Sequence, residues 1–398
     1  MNKPRAVGAL PLVLVVIATS VPLLLMLGVR SSCISNQSYP SPERWCFSEI
    51  PRLLFDEQLR DGRVPYLEPC TPSPIECDEY PPVTMFAMWA VSLIESGPTG
   101  YFMVAGVILV IAAVTTSVTL ERLVGARALY FAAAPTLILY AFVNWDLLAV
   151  AAMVLGIVAY LRAKDVRAGS WLGVGTATKL LPGAFVPSIA ADSRSRHRAS
   201  TVIMAAVGAW LILNIGFAMG SFTSWAEFIT FNASRGPDRD SLWYLVCARA
   251  SVGPCLATSD INTISALLFV AISTTCWIVR RRLQPRAPMW SCGFVFLAVF
   301  FLTNKVYSPQ YDLFLLPWFA LAMPRIRLYM AFQVSSLLVA VTRFPITASN
   351  PWLDASLLLR DAALVCCIVA FVTLPGSEPD SDILRATAEA DVSGLMVA

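Results

Sequence analysis

The sequence predicts an all-α, polytopic membrane protein. Three observations carry that expectation: a mean hydropathy of +0.67, repeated apolar runs of 15 to 24 residues, and clusters of Lys and Arg between the runs. About 20 apolar residues in a helix cross the hydrocarbon core. With 57% apolar and only 14% charged residues, the composition excludes an ordinary soluble core. The net charge of +3 is unremarkable, and its basic residues are scattered between the runs instead of forming one basic domain; the expected partner is the lipid membrane, with no nucleic acid.

The first run, Ala6 to Val29, follows Lys3 and Arg5. It exceeds the roughly 7 to 15 residue core of a cleaved signal peptide, so it is expected to remain as the first span. Lys and Arg prefer cytoplasmic loops. That preference places Arg122 with Arg127, "RAKDVR" at 162–167, "RSRHR" at 194–198, "RRRLQPR" at 280–286, and Arg325 with Arg327 inside. Two apolar stretches then cannot be simple crossings. Residues 82–94 are expected to lie on the outer surface as an interfacial helix with Trp89 at headgroup depth, and 170–190 to enter and return as a bent hairpin with its tip near "TKLLP" at 178–182. Twelve membrane helices follow, at about 6–29, 99–120, 128–143, 147–161, 170–180, 181–191, 201–219, 261–279, 288–303, 312–323, 328–342 and 355–374. The expected organisation is one transmembrane domain, 1–374, with outer loops at 30–98 and 220–260 and a disordered cytoplasmic tail at 375–398. It implies a multi-pass protein of the cell (plasma) membrane, with both termini cytoplasmic.

The cysteines test this sidedness separately. Cys33, Cys46, Cys70 and Cys77 fall in the first outer loop and Cys247 and Cys255 in the second, while no cytoplasmic loop contains one. Even numbers on one side suit disulfides in an oxidising exterior. Proximity favours Cys70 with Cys77 and Cys247 with Cys255; Cys33 and Cys46 join them as bridge-forming residues.

The chain has one histidine, His197, in a basic turn, so histidine catalysis and histidine metal sites are not expected. The polar chemistry gathers elsewhere. In "CFSEIPRLLFDEQLRDGRVPY" (46–66), Ile50, Leu53 and Leu54 recur at helical spacing, opposite Glu49, Arg52, Asp56 and Arg60. Ser48 is placed to cap this helix, and Glu49 in the first turn is expected to stay ionised as an acceptor or base. In the alternative, Glu49 only supports the cap and Asp56 pairs with Arg60. Further charges mark span ends: Asp146 in "NWDLLAV", Lys179 at the hairpin tip, Lys305 in "TNKVYSPQYD", and Arg360 beside Asp361. Ionisable groups there are costly and usually mark a pathway or site, with a helix cap for Asp146 and an ion pair for Arg360 and Asp361 as the alternatives. The two lysines break the cytoplasmic preference and suit a phosphate at the lipid surface. In the second loop, Trp225, Phe228, Phe231, Trp243 and Tyr244 interleave with Arg235, Asp238, Arg239 and Asp240, a mixture suited to sugars or to an aromatic interface belt.

These stretches together resemble the GT-C superfamily of integral membrane glycosyltransferases, and within it glycosyltransferase family 87, actinobacterial alpha-mannosyltransferases that use polyprenyl-phosphate-mannose. The similar segments are "CFSEIPRLLFDEQLRDGRVPY", "EYPPVT", "NWDLLAV", "GVGTATKLLP", "FITFNASRGPDRDSLWYL" and "LTNKVYSPQYDLFLLPW", in that order from 46 to 318. The resemblance implies a catalytic carboxylate in the first outer loop over a cavity mouth facing outside. Glu49 takes that place, where related sequences usually carry aspartate in Ser-Asp-Ile-Pro. It further implies an inverting displacement on a lipid-phosphate sugar, with mannose passing to a cell-envelope lipid or glycan acceptor. Lys179, Lys305, Arg235 and Arg360 are the expected donor-phosphate ligands; Glu79, Tyr80, Asp146, Tyr307 and Gln310 are the expected sugar or acceptor contacts. No cofactor and no metal are required, since cations serve a monophosphate leaving group; the acidic run "ECDEY" is the one weak exception. A lipid-linked sugar flippase and a non-catalytic scaffold are the rival readings, the first disfavoured because no related halves are found in the sequence.

Overall fold

Lipid offers backbone groups no partners, so long apolar runs must satisfy their hydrogen bonds internally, as helices. The computed structural model describes residues 9–35, 46–70, 77–193, 195–249, 255–323, 325–343 and 351–376, and among them it holds helices and no strand. In chain order these are α1 (Ala9–Ser35), α2 (Ile50–Asp56), α3 (Pro82–Ile94), α4 (Pro98–Val124), α5 (Leu129–Ala132), α6 (Pro135–Tyr140), α7 (Asp146–Leu161), α8 (Asp165–Thr178), α9 (Val186–Asp192), α10 (Arg196–Gly220), α11 (Phe222–Ser234), α12 (Leu242–Arg249), α13 (Thr258–Leu283), α14 (Gly293–Thr303), α15 (Asp312–Leu321), α16 (Ile326–Arg343) and α17 (Pro351–Thr373). The expected tail beyond residue 376, and Lys3 and Arg5, lie outside the described residues.

Among the described residues, five segments are long and apolar enough to cross a bilayer: Leu12–Ile34, Pro98–Ala132, Arg196–Gly220, Thr258–Leu283 and Trp352–Thr373. The chain is therefore a multi-pass membrane protein. The remaining expected crossings are shorter or broken helices. The stretch 128–143 divides into α5 and α6 because Pro135 has no N–H to continue the ladder and Ala134 before it is extended, at φ −69° and ψ 123°. α3 buries Met85, Met88 and Val91 against the protein while Leu93 and Ile94 stay exposed. Trp89 differs from a headgroup anchor: its indole nitrogen is buried without a partner.

The hairpin breaks where the sequence expects. α8 ends at Thr178, Lys179 is extended at φ −155° and ψ 135°, and Pro182 follows in a short 3₁₀ turn, Leu181–Phe185. The carbonyl of Thr178 accepts a 2.6 Å hydrogen bond from the Thr84 hydroxyl, which ties the hairpin tip to α3. Below the tip, α8 packs along α10 and α7. Its approach to α10 requires bare backbone: a Cβ on Gly169 would sit 2.3 Å from the Val202 carbonyl oxygen, and one on Gly173 2.3 Å from that of Ala206. Small residues spaced by four allow such contact between membrane helices. Gly173→Val should therefore push α8 off α10, destabilising the protein by about 1–3 kcal/mol. Thermal unfolding of detergent-solubilised protein checks this; an unchanged midpoint would show that α8 is not held through this contact.

Candidate active site

The site is built on the turn between α6 and α7. Asn144, 3% exposed, accepts the N–H of its neighbour Trp145 on Oδ1 at 2.6 Å. Its Nδ2 therefore points the other way and donates to Glu49 Oε2 at 2.5 Å and to the Tyr80 hydroxyl at 2.7 Å. The Glu49 backbone N–H donates to the Val143 carbonyl at 2.7 Å. Two residues beyond Asn144, Asp146 pairs with the Lys179 ammonium, which lies 4.4 Å from the Tyr311 ring centre.

Glu49 immediately precedes α2, where Ser48 Oγ accepts the Ile50 N–H at 3.2 Å. The helix buries Ile50, Leu53 and Leu54, as its spacing predicts, but ends at Asp56. Gln58 then turns into the left-handed region at φ 54°. Arg60 thus leaves the helical face. Asp56 pairs with Arg52 at 2.5 Å, and Arg60 lies over the Phe55 ring at 5.3 Å.

The other charges of this stretch form a clasp that the sequence did not disclose. Arg63 grips Asp78 through two bonds of 3.0 and 2.7 Å and donates to the Glu57 and Glu68 carbonyls at 3.1 and 3.2 Å. The buried Glu57 carboxylate accepts the backbone N–H groups of Asp78 at 2.5 Å and Glu79 at 3.3 Å. The clasp holds 78–80 at the cavity edge and thereby places Glu79 and Tyr80. Disulfides Cys33–Cys46 and Cys70–Cys77 flank this region, and Cys247–Cys255 closes the second loop; Cys276, Cys292, Cys366 and Cys367 are free thiols.

The second loop meets residues 304–311 through Asp238. Its N–H donates to the Lys305 carbonyl at 2.8 Å, and its carboxylate accepts the Ser308 hydroxyl at 3.1 Å and stands 3.6 Å from Arg235. Lys305 Nζ donates to the Ala233 carbonyl at 2.9 Å.

Together these pieces enclose a cavity of about 430 Å³. Glu49, Glu79, Asp56, Arg52, Lys179, Arg235 and Lys305 bring charge to its lining; Tyr80, Asn144, Asn232, Asn304 and Gln310 bring hydrogen-bonding groups, and Phe228, Phe231, Phe300 and Tyr311 bring rings. The lining thus joins carboxylates able to accept protons, cations able to meet an anion and aromatic faces able to stack. Among the described residues no group of three or more metal-ligating side chains converges.

Four expectations need correction. Arg360 does not line the cavity. It is fully buried, bonded to Asp361 at 3.2 Å and the Asp240 carbonyl at 3.0 Å and stacked 3.5 Å from the Tyr307 ring centre. Tyr307 is likewise buried, donating to Asp312 at 2.7 Å. Asp146 stands behind Lys179, outside the lining, so it acts on the cavity through that cation. These residues meet other charges because a buried ion needs a partner more than it needs a ligand. Of the second-loop aromatics only Phe228 and Phe231 reach the cavity; Trp225 donates to Asn214 at 3.0 Å and Trp243 to the Thr303 carbonyl at 2.8 Å. Asn144 and Tyr311 were missed as site residues although both stand in the motifs. Their only signal was adjacency to Asp146 and Gln310.

Glu49 is expected from the sequence to stay ionised at the helix N-terminus, and burial works against that form: desolvation pushes its carboxyl above the ordinary 4.5, while the Asn144 bond opposes that rise and the Asp146 charge adds to it. Glu79 is raised to about 7, by burial first and the Glu49 charge second. Desolvation, with Arg235 nearby, lowers Lys305. Because Glu79 is raised, the folded protein retains a proton that the unfolded chain sheds near pH 4.5, so this group's contribution to stability is lost as pH rises from about 4.5 through about 7. Thermal midpoints measured from pH 5 to 8 should fall less in Glu79→Gln than in wild type; parallel curves would contradict the assignment.

The model of glycosyltransferase family 87 matches residues 79–303, more than half of the 398 residues. The chain belongs to that family. Glu79, Tyr80, Asn144, Lys179 and Arg235 fall inside the matched segment, whereas Glu49 and Lys305 flank it. The crystal structure of ArnT from Cupriavidus metallidurans bound to undecaprenyl phosphate is similar at 14% sequence identity and a TM-score of 0.42, covering 93% of this chain and 79% of that one. No curated protein matches the sequence.

Proposed function

We propose that this glycosyltransferase moves a mannosyl group from a polyprenyl-phosphate donor to a cell-envelope lipid or glycan acceptor on the extracytoplasmic side, with inversion. The supporting observation is the single cavity lined by the Glu49 carboxylate together with Lys179, Lys305 and Arg235. In the proposed step the acceptor oxygen attacks the anomeric carbon and Glu49 takes its proton. The bond from that carbon to the phosphate oxygen breaks, and the phosphate leaves with the electron pair. Lys305 and Arg235 meet the growing charge, while Lys179 contributes less because Asp146 already neutralises it. Glu79, Tyr80 and Gln310, with the Tyr311 ring, contact sugar or acceptor. The mannosyl choice follows the motif resemblance over 46–318. The outward orientation is supported by the disulfides, all in the two loops that supply Glu49, Glu79 and Arg235.

Membranes containing the protein, given radiolabelled polyprenyl-phosphate-mannose and a membrane lipid extract, should transfer label to an acceptor, and membranes lacking it should not. No transfer above that control would overturn the donor assignment. We also propose that cations alone serve the monophosphate leaving group. EDTA should accordingly leave the rate unchanged; a loss restored by added Mg²⁺ or Mn²⁺ would refute metal independence.

A further inference from the structure

We propose that Asn144 is a positioning residue that aims the Glu49 carboxylate and stabilises its ionised form, leaving the second carboxylate oxygen for the acceptor proton. The inference rests on the reading of Glu49 as the base.

Three features of the geometry support it. The first is that the orientation of the amide is determined. Its oxygen is committed to the Trp145 N–H at 2.6 Å, so both hydrogens of Nδ2 face the cavity, and both find acceptors, Glu49 Oε2 at 2.5 Å and the Tyr80 hydroxyl at 2.7 Å. A buried side chain with every polar group satisfied has little freedom to turn. The second is that Glu49 is anchored to the same turn through its own N–H, at 2.7 Å from the Val143 carbonyl. Base and donor therefore share one frame. The third concerns charge. The groups felt by Glu49 are Asp146, Lys179 and Asp238, with Glu79, Arg52 and Tyr80 also close. Burial and the nearby acidic groups favour the protonated acid. Asn144 opposes them with a direct bond, and Lys179 opposes them through charge alone. A hydrogen bond to an ionised group stabilises that form by about 1.5–3 kcal/mol, equivalent to about 1–2 pH units.

The test uses the full chain in lipid membranes. Two variants remove the donor: Asn144→Leu keeps the volume, and Asn144→Asp keeps the oxygen that accepts the Trp145 N–H. Two readouts apply. Infrared difference titration follows the carboxyl band that disappears in Glu49→Gln, without substrate, and the pH profile of transfer from radiolabelled polyprenyl-phosphate-mannose follows the reaction. In Asn144→Leu both midpoints should move upward by about 1–2 pH units, so transfer falls about 10- to 100-fold at pH values below the wild-type midpoint and recovers in alkali. Asn144→Asp should move them at least as far, because it replaces a donor with a second carboxyl. A Glu49 band that titrates at the wild-type pH in both variants overturns the proposal. Transfer that persists in Glu49→Gln overturns the underlying base reading instead, and the infrared result distinguishes the two failures.

Discussion

Glu49→Gln is expected to lower transfer by about 10²- to 10⁴-fold, the usual contribution of a positioned general base. The substitution keeps the size of the side chain but removes proton affinity from a group that lines the cavity beside Tyr80 and Asn144. It also replaces an oxygen pair with an amide against the Asn144 Nδ2 donor, so the new side chain must present its carbonyl there. Glu49→Asp is a second informative change. It matches the Ser-Asp-Ile-Pro pattern but withdraws the carboxylate from Asn144 by roughly one C–C bond, and a misplacement near 1 Å can cost about a hundredfold in rate. Initial rates in membranes, normalised to folded protein, measure both. Wild-type rates in Glu49→Gln would remove this residue from the chemistry.

Arg63→Met should be the most disruptive single change outside the cavity. The side chains of Arg63, Glu57 and Asp78 are 5%, 1% and 4% exposed, so removing the guanidinium strands a buried Asp78 carboxylate. Breaking a buried pair by deleting one partner costs about 3–5 kcal/mol. The damage should spread to 78–80, because Asp78 holds the Arg63 fork, and with it the position of Glu79 and Tyr80 loosens. Hydrogen exchange should show lost protection across 57–70 and 77–80 together with a fall in transfer. Arg63→Lys should recover only part of both, since lysine cannot make two parallel bonds to one carboxylate. Neutralising the pair, Arg63→Met with Asp78→Asn, should recover stability better than the single change, because asparagine tolerates the φ of 59° at that position. Unaltered exchange in Arg63→Met would mean that the clasp does not hold this loop.

How much of the site the sequence discloses depends on whether a residue's chemistry acts alone or through a partner. Lys179 and Lys305 were legible because a cation at a span end has few other uses. The hairpin break at Lys179 was legible because Pro182 cannot continue a helix. Arg360 and Tyr307 looked the same in one dimension yet belong to a buried network with Asp240, Asp312 and Asp361. No spacing rule separates a cation facing a cavity from one buried against groups as far as 120 residues away in the chain, as Arg360 is against the Asp240 carbonyl. Asn144 carries no charge and gave no signal of its own.

The amino-acid order by itself determined that this chain spans a membrane as helices, that six of its ten cysteines fall in two loops, and that unusual charges mark the span ends. Those properties follow from hydrophobic run length and local residue type, which need no long-range contacts to be expressed. Only the tertiary structure decided which charges face the cavity, that α2 stops at Asp56, and that burial works against the ionised form of Glu49. Burial and pairing set those outcomes, and both depend on what distant segments bring to the same point: Asn144 to Glu49, Asp146 to Lys179, and Asp78 to Arg63.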